Sequence, residues 1–457
     1  MKRHSCLFWA LTCILTALPR ITQAAPSPVT IIRGAMETSG DKMERMFLYD
    51  ASEGQHMEMA SSRIDGRQFT FAVQSLREGF YYVGDMSRRR MHRLYLKPGD
   101  QVALRFNDTA IAIAGGSAEG KLAAEWDKLF EEIRRPAYDF ARVSMDYTGY
   151  FPLLTGFIPK AEKFKSTINT PNKAFNNLLK MVIDADIEGA ALTFLYTPRG
   201  KHPDKKDYPA YYGTVVAPNK FCDSRYLRLG ETDQLMRHYI LFASINGATK
   251  PTKEDRLSWS LEQICNDTLK GAYLTRNFSR YNSLENFLAE AGPLEKFVAT
   301  DRQRAAFDET KKKLSTFKAG EPGYNFNYPD LAGKEVSLAG LKGKVVVVDM
   351  WATWCGPCKA EIPHLKKLET DMHGKDVVFV SISVDEEKDK EKWANFVQKE
   401  SLGGVQLFAS GWSGMTKFYG VNAIPRFMVF DKAGKIVNVD APRPSQPELK
   451  SLIQTLL

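Results

Sequence analysis

The rhythm of hydrophobic and polar positions changes twice along the chain. From about Ala25 to Gly116, short apolar or alternating runs recur at residues 29–32, 46–49, 69–73, 80–83, 93–96, 102–106 and 110–114. Turn chemistry separates them, at Asp65-Gly66, Lys97-Pro98-Gly99-Asp100 and Gly115-Gly116. Period-two runs bounded by glycine and proline mark strands. Residues 25–116 are therefore predicted as an all-β, sandwich-like module of seven short strands. Near Ser117 the period lengthens. Leu122, Trp126, Leu129, Phe130 and Ile133 fall at helical spacing, although Ser117 followed by Gly120 makes a poor capping box. Helical patterns continue through residues 173–191, 233–244, 257–273, 284–288 and 301–314, with an irregular excursion rich in Pro, Tyr and Lys over 196–228. Residues 117–317 are predicted as an α-helical region, and its many aromatics as helix–helix seams rather than a ligand pocket.

The second change follows Lys311-Lys312-Lys313 and the breaker cluster Ala319-Gly320-Glu321-Pro322-Gly323. From about Lys318 strands and helices alternate: strands at 345–348, 377–384, 427–430 and 436–439, helices at 358–371, 388–400 and 446–457. That pattern predicts an α/β unit over 318–457. Its central sheet would hold both parallel and antiparallel strands, with the C-terminal helix closing one face. A chain of 457 residues is too long for one core, so a multidomain architecture is expected.

Composition narrows the function classes. A hydrophobic content of 44% with 26% charge excludes a disordered chain. The formal net charge is +9, of which Lys2, Arg3 and Arg20 lie in the first 24 residues, leaving a mild and dispersed +6. No dense basic patch with interleaved aromatics is present, so nucleic acid is not an expected partner. Arg88-Arg89-Arg90 reads as a solvated turn. The first 24 residues read as an export signal: a positive end at Lys2-Arg3, an apolar run from Cys6 to Leu18, and a small-x-small cleavage site at Thr22-Gln23-Ala24. An uncleaved anchor is the alternative. The expected location is the periplasm or cell envelope, with a soluble mature chain.

Removal of that signal leaves Cys222, Cys265, Cys355 and Cys358. An even number in an oxidising compartment permits two disulfides. Cys355 and Cys358 are local partners. Cys222 and Cys265 are the candidate structural pair, two thiols that never meet being the alternative. No His or Cys stands at ligand spacing to either, and His202 and His238 have no partner at catalytic or ligand spacing and read as structural, so no metal and no cofactor is expected; His364 reads as a surface residue.

The chemistry concentrates in VVVVDMWATWCGPCKAEIP, residues 345–363. A Cys-x-x-Cys pair alone can be half a zinc site, but no second half follows. The pair also lies at a strand-to-helix junction, where a thiolate gains from unpaired N–H groups and the helix dipole. Cys355 is placed as the exposed nucleophile. Cys358, one turn later, is placed to resolve a mixed disulfide. Pro357 suits the first helical turn, where its missing N–H would be unpaired anyway.

WCGPCK resembles thioredoxin. The longer context resembles the exported thioredoxin-like thiol-disulfide oxidoreductases of the TlpA and ResA type, through Asp330-Leu331-Ala332-Gly333-Lys334, Leu341-Lys342-Gly343-Lys344, the CxxC stretch, Ala423-Ile424-Pro425 and residues 431–437. The preceding 300 residues resemble the β module and helical region that precede this domain in Bacteroidetes-type members. The resemblance implies a thioredoxin fold and dithiol exchange with disulfide-bearing exported proteins, resupplied by a membrane thiol-electron donor. It implies a buried acid at Asp349 that takes the proton of Cys358, directly or through water. Many exported relatives have Asn there, and an Asp that merely ends a strand is the alternative. It also implies a helix-kinking Pro363 and a cis-proline at Ile424-Pro425 facing the CxxC. Substrate contact would fall on Trp354, Gly356, Pro357, Ile424 and Pro425. Glu361 matches an acid that tunes the thiols, a solvated helix residue being the alternative. Trp354 is expected to shield the thiols.

Two other readings stay open. A peroxiredoxin-like peroxidase would need a Pro-x-x-x-Thr-x-x-Cys setting, whereas Thr353 lies two residues before Cys355 and the upstream Pro is absent. Alternatively, the front domains bind an envelope component and the redox domain only tethers or senses.

Overall fold

A computed structural model of the chain describes residues 28–37, 43–85, 90–106, 111–252, 255–412 and 414–457. The expected export signal lies outside the described residues, as do Arg88, Arg89 and the side chain of Arg90. The chain divides into two compact units. One holds the chain up to Asp50 with Met57–Glu131 and Ile168–Leu179. The other holds Ala51–His56, Glu132–Thr167 and Lys180–Leu457.

Among its described residues the N-terminal region has eight strands, one more than the periodicity predicts: β1 (Val29–Met36), β2 (Arg45–Ser52), β3 (Gln55–Arg63), β4 (Gln68–Gln74), β5 (Gly79–Asp85), β6 (Arg90–Leu96), β7 (Gln101–Phe106) and β8 (Ile111–Gly115). They form two four-stranded sheets, β4-β1-β7-β8 and β3-β2-β5-β6. Alternate residues of both, including Ile32, Leu48, Phe71, Val83, Leu94 and Leu104, enclose one core. The additional strand, β3, is QHMEMASSR. It lies at a sheet edge with no fully buried side chain, where a polar strand is the normal protection against edge pairing.

The helices of the middle region are α1 (Ala118–Tyr138), α2 (Tyr147–Thr167), α3 (Lys173–Tyr196), α4 (Thr232–Asn246), α5 (Arg256–Glu262), α6 (Asp267–Arg276), α7 (Leu284–Ala291) and α8 (Asp301–Leu314). At the start of α1, Ser117 Oγ accepts from Gly120 N at 3.1 Å, so half of the capping box is made. A Cβ at Gly120 would stand 2.8 Å from the carbonyl oxygen of Tyr95, which is why no Glu or Gln completes it. No periodicity marks α2, because Pro152 and Pro159 lie inside it. Its buried Tyr150, Phe151, Leu154, Phe157 and Ala161 hold it helical, burial outweighing the roughly 3 kcal/mol that an interior proline costs. The aromatics form helical core: Tyr150 stacks on Phe194 at 3.9 Å, and Tyr212 packs against Phe151 and Phe242. The single helix expected over 257–273 is instead two. Asn266 caps α6 by accepting from Leu269 N at 3.1 Å, and Cys265 N donates to Lys220 O at 2.8 Å. Cys265 is bonded to Cys222 across 43 residues; in the loop-entropy model such a link contributes about 4 kcal/mol.

The C-terminal region is a thioredoxin-like α/β domain. A hairpin of β9 (Asn327–Pro329) and β10 (Glu335–Ser337) precedes a five-stranded sheet of β11 (Val345–Trp351), β12 (Val377–Ser383), β13 (Val405–Phe408), β14 (Arg426–Phe430) and β15 (Ile436–Ala441). The order is β13-β12-β11-β14-β15. The β11–β12 and β12–β13 pairs are parallel, β14 adds antiparallel to β11, and β15 adds antiparallel to β14. Helices α9 (Gly356–Asp371), α10 (Lys390–Lys399), α11 (Gly414–Phe418) and α12 (Pro447–Gln454) cover the sheet. Every residue of β11 is buried, as a central strand covered on both faces requires. Val346, Val348 and Met350 enter the core with Ile382 and Phe430. Val345 and Val347 enter the opposite one, with Leu365 and Leu368 of α9 and Leu449 and Ile453 of α12. By the period of two, Asp349 shares the second face and looks toward α9.

Candidate functional site

The strand β11 ends at Trp351, and four residues later Cys355 caps α9. Cys355 Sγ accepts the backbone N–H of Cys358 at 3.1 Å, and Gly356 and Pro357 fill the first turn. The two cysteines are joined, with Cα atoms 5.3 Å apart. Each is only 4% exposed. The expectation of an exposed nucleophile is thus corrected for the bonded state: Trp351, Ala352, Val384, Trp393, Val397 and Phe408 pack around both cysteines, with Ile424 against the same cluster. Trp354, expected as a shield, is 55% exposed and stands out from the turn. Gly356 and Pro357 are exposed beside it, and a Cβ on Gly356 would meet nothing within 4 Å. The Ile424–Pro425 peptide is cis, and Ile424 packs this loop against the cluster that holds the cysteines. Behind it, the buried guanidinium of Arg426 pairs with Asp440 at 3.2 Å. The backbone carbonyl of Asp440 accepts from Asn286 of α7 at 2.9 Å, so a residue of the helical region reaches the strand next to the cis-proline loop.

Asp349 is buried and hydrogen-bonded by the Ser381 hydroxyl, while its Oδ1 has no partner. Burial pushes its carboxyl up to about 8, and the nearby carboxylates of Glu361 and Glu369 push the same way, against the Ser381 bond. Asp349 and Cys358 line one small cavity, with room for about one water molecule, together with Ser381, Lys366, Glu369 and Gln406. Of the two readings of Glu361, the solvated one is not observed. Its carboxylate is buried and accepts from Ser445 N at 3.0 Å and Ser445 Oγ at 2.9 Å, which ties α9 to the segment leading into α12. His364 is exposed. In the helical region, His238 is half-buried beside Thr193 Oγ1 at 3.2 Å, and burial lowers it to about 4. Cys222 and Cys265 lie in the helical region, bonded to each other.

One residue of the site has no signature in the periodicity. Asp385 is fully buried just beyond β12. It accepts from Thr353 N at 2.9 Å, Thr353 Oγ1 at 2.8 Å and Ser383 Oγ at 2.7 Å. Its own carbonyl accepts from Gly411 N at 2.8 Å. It therefore pins the turn that carries Trp354 and Cys355. The available signal was position: in open α/β sheets the working residues gather at the carboxyl ends of the strands, and Asp385 follows the strand next to β11. Asp385→Ala leaves three buried donors unpaired at about 1–3 kcal/mol each. A loss on the order of 3 kcal/mol is expected in urea denaturation, and a loss below about 0.5 kcal/mol would show that the turn holds without it. Thr353, whose hydroxyl is committed to Asp385, is not turned to Cys355 as a peroxidatic setting would require.

Among the described residues no group of three His, Cys, Asp or Glu side chains gathers to hold a metal, and no helix is long and apolar enough to cross a membrane. Residues 318–456 match the Redoxin family. A thiol-disulfide oxidoreductase ResA of Bacillus cereus is 31% identical over 150 residues, covering 33% of this chain and 83% of the relative. The thioredoxin-like protein YneN of Bacillus subtilis is 27% identical over 139 residues, 30% of this chain and 81% of its own. Among solved structures, a candidate thiol-disulfide oxidoreductase from Bacteroides vulgatus is 46% identical, covering 30% of this chain and 90% of its own, with a TM-score of 0.28. With a buried CxxC at the head of α9 and this extent of identity to ResA, the chain belongs, through its C-terminal domain, to the ResA-type thiol-disulfide oxidoreductases of the thioredoxin/redoxin class.

Proposed function

We propose that the protein is an exported reductase of protein disulfides, working by dithiol exchange through Cys355 and Cys358. The observation that carries this reading is the Cys358 N–H directed at Cys355 Sγ from the first turn of α9, 3.1 Å away. In the reduced protein the same donor and the helix dipole favour a thiolate at Cys355. That thiolate attacks one sulfur of a substrate disulfide and releases the other as a thiol. Cys358 gives its proton to Asp349 and attacks Cys355. The second substrate sulfur leaves and takes up a proton, and two electrons have passed to the substrate. The protein departs with Cys355 and Cys358 bonded. A membrane thiol-electron donor restores the dithiol, as a reductase in an oxidising compartment requires. Trp354, Gly356, Pro357, Ile424 and Pro425 form the surface on which the substrate chain lies.

The test is the equilibrium potential of the Cys355–Cys358 couple, measured on the full chain against glutathione buffers. A value near that of thioredoxin, about −270 mV, is expected. A value near about −120 mV, that of a strong oxidant, would overturn the direction of electron flow.

A further inference from the structure

The exchange cycle leaves one proton in a difficult place. When Cys358 is consumed, its proton is on Asp349, inside the sheet and under α9. The acid must lose that proton before the next cycle. On β11 and β12 the groups that face Asp349 are uncharged, Ser381 and Trp351 among them. On α9 they are Cys358, Glu361, Lys366 and Glu369. Glu361 is held by two hydrogen bonds from Ser445. The ammonium of Lys366 donates to the carbonyl of Glu400 at the end of α10. That leaves Glu369, one further turn along α9 and half-buried at the rim of the cavity that Asp349 and Cys358 line.

The rim is shaped around this carboxylate. A Cβ at Gly403 would stand 2.4 Å from Glu369 Oε2, and one at Gly404 would stand 3.0 Å from Oε1. A side chain at Gly403 would drive the carboxylate from its seat. Gly404 has φ +63, so its backbone also favours glycine. On the inner side, the unpartnered Oδ1 of Asp349 and the unpartnered Oε1 of Gln406 are both buried. Polar atoms of that kind are the usual partners of internal water, and the cavity offers them between the acid and the rim. Burial raises the Glu369 carboxyl above its ordinary value, against the pull of Lys366, which brings it nearer to Asp349 in basicity.

We propose that Glu369 is the proton outlet of Asp349, accepting through cavity water the proton that Asp349 takes from Cys358 and releasing it to solvent. No bond other than O–H changes in this step: Asp349 returns to carboxylate, Glu369 is transiently the acid, and water outside takes the proton. The inference rests on the dithiol-exchange reading above.

The experiment separates the two steps of the cycle in the full-length protein. Attack is measured as formation of the mixed disulfide with a small aromatic disulfide in a Cys358→Ser background. Resolution is measured as release of the second thiol over successive turnovers, with dithiothreitol restoring the dithiol between them, in the wild type and in Glu369→Gln. Glu369→Gln is expected to leave attack unchanged and to slow resolution about tenfold, a share of the roughly 10²–10⁴ typical of acid–base assistance. The slowing should be greatest near neutral pH and relieved by rising concentrations of imidazole buffer. Gly403→Ala, which crowds the same carboxylate, should reproduce the effect in weaker form. Resolution with an unchanged rate and pH profile in Glu369→Gln would overturn the outlet. So would slowing that buffer does not relieve, because a structural defect is indifferent to buffer. If the Cys358→Ser protein forms no mixed disulfide at all, the exchange reading fails, and the outlet with it.

Discussion

Cys355→Ser is expected to bring insulin-disulfide reduction by the full chain to the uncatalysed background, whereas Cys358→Ser is expected to leave a protein that reacts once and stops. The difference follows from the asymmetry of the site. Cys355 stands at the head of α9 with a backbone N–H aimed at its sulfur, beside the exposed Gly356, Pro357 and Trp354. Cys358 lies inside the helix and faces the cavity below. A hydroxyl at 355 cannot open a disulfide, because its alkoxide is not populated at neutral pH. A hydroxyl at 358 leaves the attack intact and removes the group that ends the mixed disulfide. Non-reducing electrophoresis and intact mass should then show one substrate-derived adduct per chain, removable by dithiothreitol, in the Cys358→Ser protein alone. Adduct on the Cys355→Ser protein instead would exchange the two roles.

The second large effect is on stability. Asp349→Asn should make the domain more stable at neutral pH while slowing the resolving step. The folded carboxyl is raised to about 8 by burial, with Glu361 and Glu369 adding to it, whereas an aspartate in the unfolded chain titrates near about 3.9. Between these values the folded protein holds a proton that the unfolded chain has lost. Stability is therefore fully present below about pH 4 and declines as pH rises through 8, at about 1.4 kcal/mol per unit while the mismatch lasts. At pH 7 the accumulated penalty is on the order of 4 kcal/mol. Asn keeps the shape and has no such titration. Urea denaturation of both proteins from pH 5 to 9 should give curves that separate progressively and become parallel again above about pH 8. A difference that stays constant with pH would mean that the acid does not titrate in this window.

Much of this centre is legible in the chain. VVVVDMW can only be a strand covered on both faces, and a Cys-Gly-Pro-Cys that follows it is set at a helix start by the proline alone. Ile424-Pro425 and Asp349 are found by their distance from that landmark. The parts that escape are those whose character comes from what packs on them. Asp385 is one acid in Val384-Asp385-Glu386-Glu387, and the sequence does not distinguish it from its exposed neighbours. Glu369 sits in LKKLETD, where charged residues at helical spacing ordinarily mark the wet face; only Gly403 and Gly404, far along the chain, enclose it. In the middle region, α2 is concealed by its own prolines, and β3 by the polarity that protects an edge. In each case tertiary burial outweighed local propensity, and burial is not a local property.

The place of β11 in the sheet also sets a clock. It has β12 on one side and β14 on the other, with helices over both faces, so none of its amides can open unless the domain does. Opening of that kind costs about 5–15 kcal/mol for ordinary domains, and the open form is then populated at about one part in several thousand or far less. An acid on a fraying edge strand could trade protons with solvent whenever the strand breathes. Asp349 has no such moments. Its proton traffic must run through the folded protein at the pace of turnover, which makes the cavity behind the cysteines as much a working part of the molecule as the cysteines in front of it.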